Sequence, residues 1–237
     1  MIRRWNILAD VGTTLDSVAP LTLIQAPRGY GKSVFTDQWL DQLDAPVEQV
    51  IRVTATRGLT PDSFWNDVVL TQASEVAARE SDGSVNWASW LNGLRVPTLV
   101  LVEDYEEATS AILDRSIVKA VESQVFLHVM VVARHTVLLD GPLAAASVGV
   151  KRLTSAGLEF SDEELDRALN LVDCDDRREA LEQIRPAIRW PRAWDKAVRA
   201  ASSASLGDVQ DAIAVALNSL GDTSEVDPLG WTVRGVF

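Results

Sequence analysis

The sequence predicts an α/β fold, with a mostly parallel, helix-covered sheet followed by a small all-helical domain. Three observations predict it. Up to Thr154, short apolar runs alternate with amphipathic stretches, the pattern of strands linked by helices. The first apolar run, Leu21–Gln25, ends in a glycine turn that closes on Lys32 and Ser33 and opens into a helical pattern. After Thr154 the periodicity is helical throughout.

The elements follow in order. The first strand, Leu21–Gln25, leads into a helix over Lys32–Leu43, where Phe35, Trp39 and Leu43 recur on one face. A second strand is expected at Gln49–Thr54. Thr60 then caps a helix with Pro61 at its first position, where a missing N–H costs nothing, and Phe64, Val68 and Val69 line its inner face. Ser81–Ser84 reads as a loop. Pro97 precedes the continuous apolar run Thr98–Val102, as in a strand buried on both faces. Glu106–Val121 reads as one helix, Val125–Ala133 as a further buried strand and Val148–Leu153 as a short one. In the second half, Ser161 to Glu164 forms a capping box ahead of Leu165, Ala168, Leu169 and Val172. Asp176–Ile184 is a second helix, Pro191 opens a third, and Leu206–Leu220 carries an apolar face. The expected division is an α/β domain over 1–156, a helical domain over 157–220 and a loose tail over 221–237.

Composition bounds the function. Hydrophobic residues make up 47% and charged residues 24% of 237, a globular balance. No apolar run is long enough to cross a membrane, and MIRRW begins no signal-peptide core, so no membrane partner is expected. The single cysteine, Cys174, excludes an internal disulfide and suits a cytoplasmic location; it reads as a packing residue. Net charge is −12, from 22 basic and 34 acidic side chains, which repels a polyphosphate backbone and argues against direct nucleic-acid binding by this chain alone. The eight tryptophans read mostly as packing residues.

The chemistry gathers at the strand ends. Strand, glycine turn, Lys-Ser and helix follow the order of a P-loop, in which backbone N–H groups cradle phosphate oxygens. Gly29 and Gly31 permit the turn, Lys32 brings a cation to the β/γ-phosphates, and the Ser33 hydroxyl can hold magnesium. The helix N-terminus adds a partial positive charge. Arg28, Gly29, Tyr30, Gly31, Lys32, Ser33 and Val34 are therefore the expected nucleotide contacts. Ala26 stands where the strict pattern has its first glycine. Glu103 and Asp104, at the end of the run Leu99–Val102, stand where a Walker B pair belongs. Glu103 would take the metal position and Asp104 would orient water, or the two would exchange roles. Either can thus be a magnesium ligand beside Ser33. Arg134, ending the next strand, could sense a γ-phosphate or sit in a surface ion pair. His128 and His135 read as structural or solvated. Arg185, Arg189, Arg192, Lys196 and Arg199 form a basic stripe that Pro186 and Pro191 interrupt. It reads as a solvated face paired with acids, or else as a partner- or nucleotide-facing surface.

These motifs resemble, in order, those of the STAND-class P-loop NTPase module of large LuxR-type bacterial transcription regulators, the maltotriose-responsive activators among them. The family loop APAGYGKTT is similar to Ala26–Ser33, alanine included. DPARFW resembles Thr60–Trp65, LVLDDYH resembles the strand ending Glu103-Asp104-Tyr105, and ASR resembles the strand end at Ala133-Arg134. LRFSxEEA resembles Leu158–Glu164, and GWPAGL resembles Arg189–Trp194. The likeness spans roughly residues 1 to 203. It departs at Glu103, in place of an aspartate, and at Arg189, in place of a glycine. The resemblance implies an ATP/ADP-binding, AAA-like switch with slow or absent hydrolysis, a helical lid closing on the nucleotide and Pro191 approaching the adenine. It further implies a role in signal transduction or transcriptional regulation, with a protein partner or self-association in the ATP state. Family members continue into a helical-repeat sensor and a helix-turn-helix; no segment of this second half reads as a recognition helix. A metabolic P-loop phosphotransferase and a catalytically inactive nucleotide-binding interaction domain are the competing expectations.

Overall fold

A computed structural model describes residues 7, 10–44, 49–72, 86–137, 139, 141–205 and 208–221. The chain divides into two compact units; of the described residues, one holds 7–26 and 32–154, the other 27–31 and 155–221.

The first unit is built on a five-stranded sheet in the order β2-β3-β4-β1-β5, every described pairing parallel. Its strands are β1 (Leu21–Gln25), β2 (Val50–Thr54), β3 (Thr98–Glu103), β4 (Leu127–Ala133) and β5 (Val150–Thr154). Parallel strands need crossovers, which α1 (Lys32–Leu40), α2 (Pro61–Gln72), α3 (Trp87–Gly93), α4 (Ala111–Ser123) and α5 (Pro142–Ser147) supply. The central strands carry no polar face: β4 is buried along its whole length and β3 up to Val102. Phe64, Trp65, Val68 and Ile117 close over the sheet from α2 and α4. Because the strands are parallel, the ends of β1, β3 and β4 all open on one rim.

Several boundaries differ from expectation for local reasons. The helix expected over Glu106–Val121 is two elements, a 3₁₀ turn at Tyr105–Glu107 and α4. Asp104 enters the turn in the left-handed region at φ 51°, and Ser110 restarts the helix by accepting the Leu113 N–H at 3.2 Å. β4 begins at Leu127, because the Gln124 side chain holds the preceding turn through the Leu91 carbonyl and the Phe126 N–H. Val125 is consequently 81% exposed. β5 runs Val150–Thr154, and the Gly149 carbonyl instead accepts the Leu21 N–H. α1 ends at Leu40, although Leu43 still bonds back to Trp39. The loop expected at 81–84, the first residues of the chain and the tail beyond 221 lie outside the described residues.

The helical unit contains α6 (Ser155–Leu158), α7 (Asp162–Leu169), α8 (Asp175–Ile184), α9 (Pro191–Ser203) and α10 (Val209–Gly221). The capping box forms as the sequence predicts: Ser161 Oγ accepts the Glu164 N–H at 3.2 Å, and Glu164 Oε2 accepts the Ser161 N–H at 2.8 Å. Leu165, Leu181, Trp194, Ala197 and Ile213 form the core of this unit. No helix among the described residues is long and apolar enough to cross a membrane.

Candidate functional site

The glycine loop leaves β1 at Gln25 and enters α1 at Lys32. Gly29 at φ 93° and Gly31 at φ 77° occupy backbone space that side chains disfavour, so the turn depends on both. The Lys32 ammonium donates to the Ala26 carbonyl, one turn of loop behind it. Thr36, fully buried, donates to the Ser33 carbonyl at 2.9 Å and braces the first turn of α1. Arg28, Ser33 and Val34 are exposed.

Residues 27–31 pack with the helical unit. Tyr30, only 6% exposed, stacks on Trp190 with ring centroids 5.6 Å apart and planes 24° apart. The Arg192 N–H donates to the Gly29 carbonyl at 3.1 Å. Pro191, at the first position of α9, lies so that a Cβ on Gly31 would come 3.5 Å from its ring.

At the rim of the sheet the acids and arginines form two linked sets. Arg134 follows β4 and holds Glu106 twice, through Nε to Oε1 at 2.9 Å and through its backbone N–H to Oε2 at 3.1 Å. Its Nη2 is also 3.5 Å from Asp104. The Glu106 side chain is nearly buried, so Arg134 has a fixed anchor. Glu103 is gripped from the other side. Arg52 of β2 donates from Nε to Oε2 at 2.8 Å and from Nη2 to Oε1 at 2.9 Å, and Nη2 also reaches Asp37 of α1 at 3.0 Å. This pairing holds the Arg52 pKa well above its ordinary value, chiefly through the hydrogen bond to Glu103.

Three of the five parallel strands, β1, β3 and β4, thus deliver a glycine loop, a lysine, two acids and an arginine to their carboxyl ends. The fold is that of a P-loop NTPase. A chain of Drosophila ORC, in a structure bound to DNA, superposes with a TM-score of 0.51 at 16% identity, over 88% of this chain and 58% of that one. A Thermotoga maritima RuvB variant does so with a TM-score of 0.51 at 17% identity, over 92% and 70%. Both are AAA+ P-loop ATPases, and at these identities the likeness is one of fold. The chain spans little more than half the length of the ORC chain it matches. The sequence matches no family model and no curated protein.

The residues present fit a divalent ion poorly. Both Glu103 oxygens accept from one guanidinium, Asp104 lies beside Arg134, and no group of three His, Cys, Asp or Glu among the described residues could hold a metal. The expected grouping of Ser33, Glu103 and Asp104 as ligands therefore meets an arginine already seated on one member.

Sequence reasoning passed over Arg52, Asp37 and Glu106. The signal for Arg52 was a lone charge inside an apolar strand, VIRVT; its partner became visible only with the register Thr54↔Glu103. The basic stripe is largely neutralised by acids of its own unit. Arg185 pairs with Asp162, Asp166 and Glu182, Arg189 with Asp162, and Arg199 with Asp195.

Proposed function

We propose that this chain is an ATP- and ADP-binding switch module of the STAND type, with slow or absent hydrolysis, acting in signal transduction or transcriptional regulation in the cytoplasm. The observation that carries the reading is the loop itself: two left-handed glycines, a lysine ammonium folded over the loop carbonyl at Ala26, and the N-terminus of α1 behind them. Lys32 exchanges its carbonyl partner for a phosphate oxygen, and the backbone N–H groups of residues 28–34 cradle the rest. Ser33 takes the position of the P-loop hydroxyl. Asp104 is assigned the role of orienting a water, and Arg134, which is anchored on Glu106, that of sensing a terminal phosphate. Pro191, in the same unit as residues 27–31, is assigned to the adenine side. The α/β portion, 1–156, and the helical lid, 157–220, are the two moving parts, and a protein partner or a second copy is recognised in the ATP state.

Slow turnover follows from the grip of Arg52 on Glu103, which removes one of the two acids from service. That same pair lends support to a neighbouring reading, a catalytically inactive interaction domain whose nucleotide is structural. A metabolic phosphotransferase is disfavoured, since Arg185 and Arg189, the cations such a lid would offer, are engaged by Asp162 and Asp166. DNA, to which the ORC neighbour is bound, is disfavoured as a direct ligand by the net charge of −12. Isothermal titration with ATP and with ADP tests the proposal. Saturable binding in the wild type, weakened at least about tenfold by Lys32→Ala, is expected; equal binding by both proteins, or none by the wild type, overturns it.

A further inference from the structure

Arg52 occupies an unusual place. It stands inside edge strand β2, flanked by the buried Ile51 and Val53, and its side chain spans to the end of β3 and to the interior of α1. Nε and Nη2 meet the two oxygens of Glu103 at 2.8 and 2.9 Å, a fork-on-fork geometry that saturates the carboxylate edge. Nη2 meets Asp37 as well, at 3.0 Å, so one guanidinium bridges two carboxylates from β3 and α1. Glu103 is the less exposed of these acids, at 22%, and so the one whose charge most needs a partner. Arginine keeps its proton at any pH at which the chain folds, so this cation cannot be titrated away.

We propose that Arg52 is a built-in cation that occupies Glu103 in place of a divalent metal, making nucleotide binding by this chain independent of magnesium. The proposal deepens the nucleotide-binding reading and rests on it. Magnesium binds carboxylate oxygen at about 2.0–2.1 Å and gives up its waters reluctantly. To reach Glu103 it would have to displace two charge-assisted hydrogen bonds while approaching a fixed positive charge. Removing the guanidinium reverses the situation. Glu103 and Asp37 are then left facing one position that has lost its cation, and a divalent ion is the natural replacement. Arg52 is on this account a positioning residue: it touches no phosphate and acts through Glu103.

The test compares ADP affinity in excess EDTA and in excess magnesium for the wild type, Arg52→Gln and the double variant Arg52→Gln/Glu103→Gln. The wild type is expected to bind equally in the two conditions, within about threefold; Arg52→Gln gains at least about tenfold from magnesium, and the double variant loses that gain. A tenfold magnesium dependence in the wild type, which needs no substitution to measure, overturns the proposal. So does an Arg52→Gln variant that folds, by circular dichroism, and gains no more than the wild type. Manganese binding without nucleotide, followed by electron paramagnetic resonance, separates this claim from the one beneath it. If ADP binds to none of the proteins, the nucleotide reading falls. The occupation of Glu103 by Arg52 in place of a metal is then decided by manganese alone: an added site in Arg52→Gln that vanishes in the double variant sustains it, and no added site refutes it.

Discussion

Lys32, after β1, and Glu103, at the end of β3, carry opposite charges on either side of β4, and each is held by something other than a ligand: the lysine by the Ala26 carbonyl, the glutamate by Arg52. Each contact is what a bound nucleotide would have to displace or leave alone, which is why the proposed function separates binding from turnover. Elsewhere, single side chains serve the fold. Tyr105, fully buried, donates its hydroxyl to Asp114 across the 3₁₀ turn, and burial raises the Asp114 pKa above the ordinary carboxylate range. His128, inside β4 and 7% exposed, is shifted the other way: desolvation lowers its pKa below the ordinary value of 6.5. A histidine with a depressed folded pKa stays neutral in the native chain, while its unfolded form takes up a proton as pH falls through 6.5. Its contribution to stability is therefore full above that pH and is lost as the pH falls from there toward the folded value. Urea unfolding at pH 7.5 and pH 5.5 (values chosen to straddle about 6.5) should show a larger loss for the wild type than for His128→Gln. Equal losses would remove His128 from the account.

At the level of elements, the loop is held to its shape by two glycines of unequal tolerance. A Cβ on Gly29 would lie 2.7 Å from Arg192 Cδ and 3.1 Å from the Trp190 ring, whereas at Gly31 the nearest atom is 3.5 Å away. Both substitutions carry the backbone penalty of a positive φ, about 1 kcal/mol. Gly29→Ala adds a collision, so it should lower the thermal midpoint clearly more than Gly31→Ala; the reverse order would mean that the loop does not pack as described. This geometry also shows what the sequence could and could not tell. The central strands were legible because burial on both faces leaves an unbroken apolar run, as in Leu99–Val102, and the loop because its glycines and lysine are close together in the chain. The cap at Ser161 was legible for the same reason. The interruption between the 3₁₀ turn and α4 was not, since the pattern Glu106–Val121 reads as one helix while Ser110 starts a new one inside it. Nor was the Arg52–Glu103 pair, because it joins residues 51 positions apart whose meeting depends on β2 lying beside β3. Glu106 escaped for a related reason: a further acid in an acidic stretch reads as solvated, and only its contact with Arg134, just after β4, explains why it is buried.

Over the whole molecule, a parallel sheet ordered β2-β3-β4-β1-β5 puts the loop after its first strand and the acids after β3, with the arginine of β4 between them. The topology thus collects, on one rim, groups that are far apart in sequence. The chain carries a net charge of −12, so a nucleotide phosphate is favoured only where Lys32 and the α1 N-terminus outweigh that field. A ligand bound there stabilises the folded chain by mass action, and this gives the most direct test of the central claim. Thermal unfolding is followed with and without ADP for the wild type and Lys32→Ala, each referred to its own unliganded midpoint. At about a hundredfold excess over Kd the stabilisation is about 2.7 kcal/mol, or roughly 5–11 °C for a chain of this size. The account predicts that rise in the wild type and little or none in Lys32→Ala. An equal rise in both proteins, or none in the wild type, would contradict it.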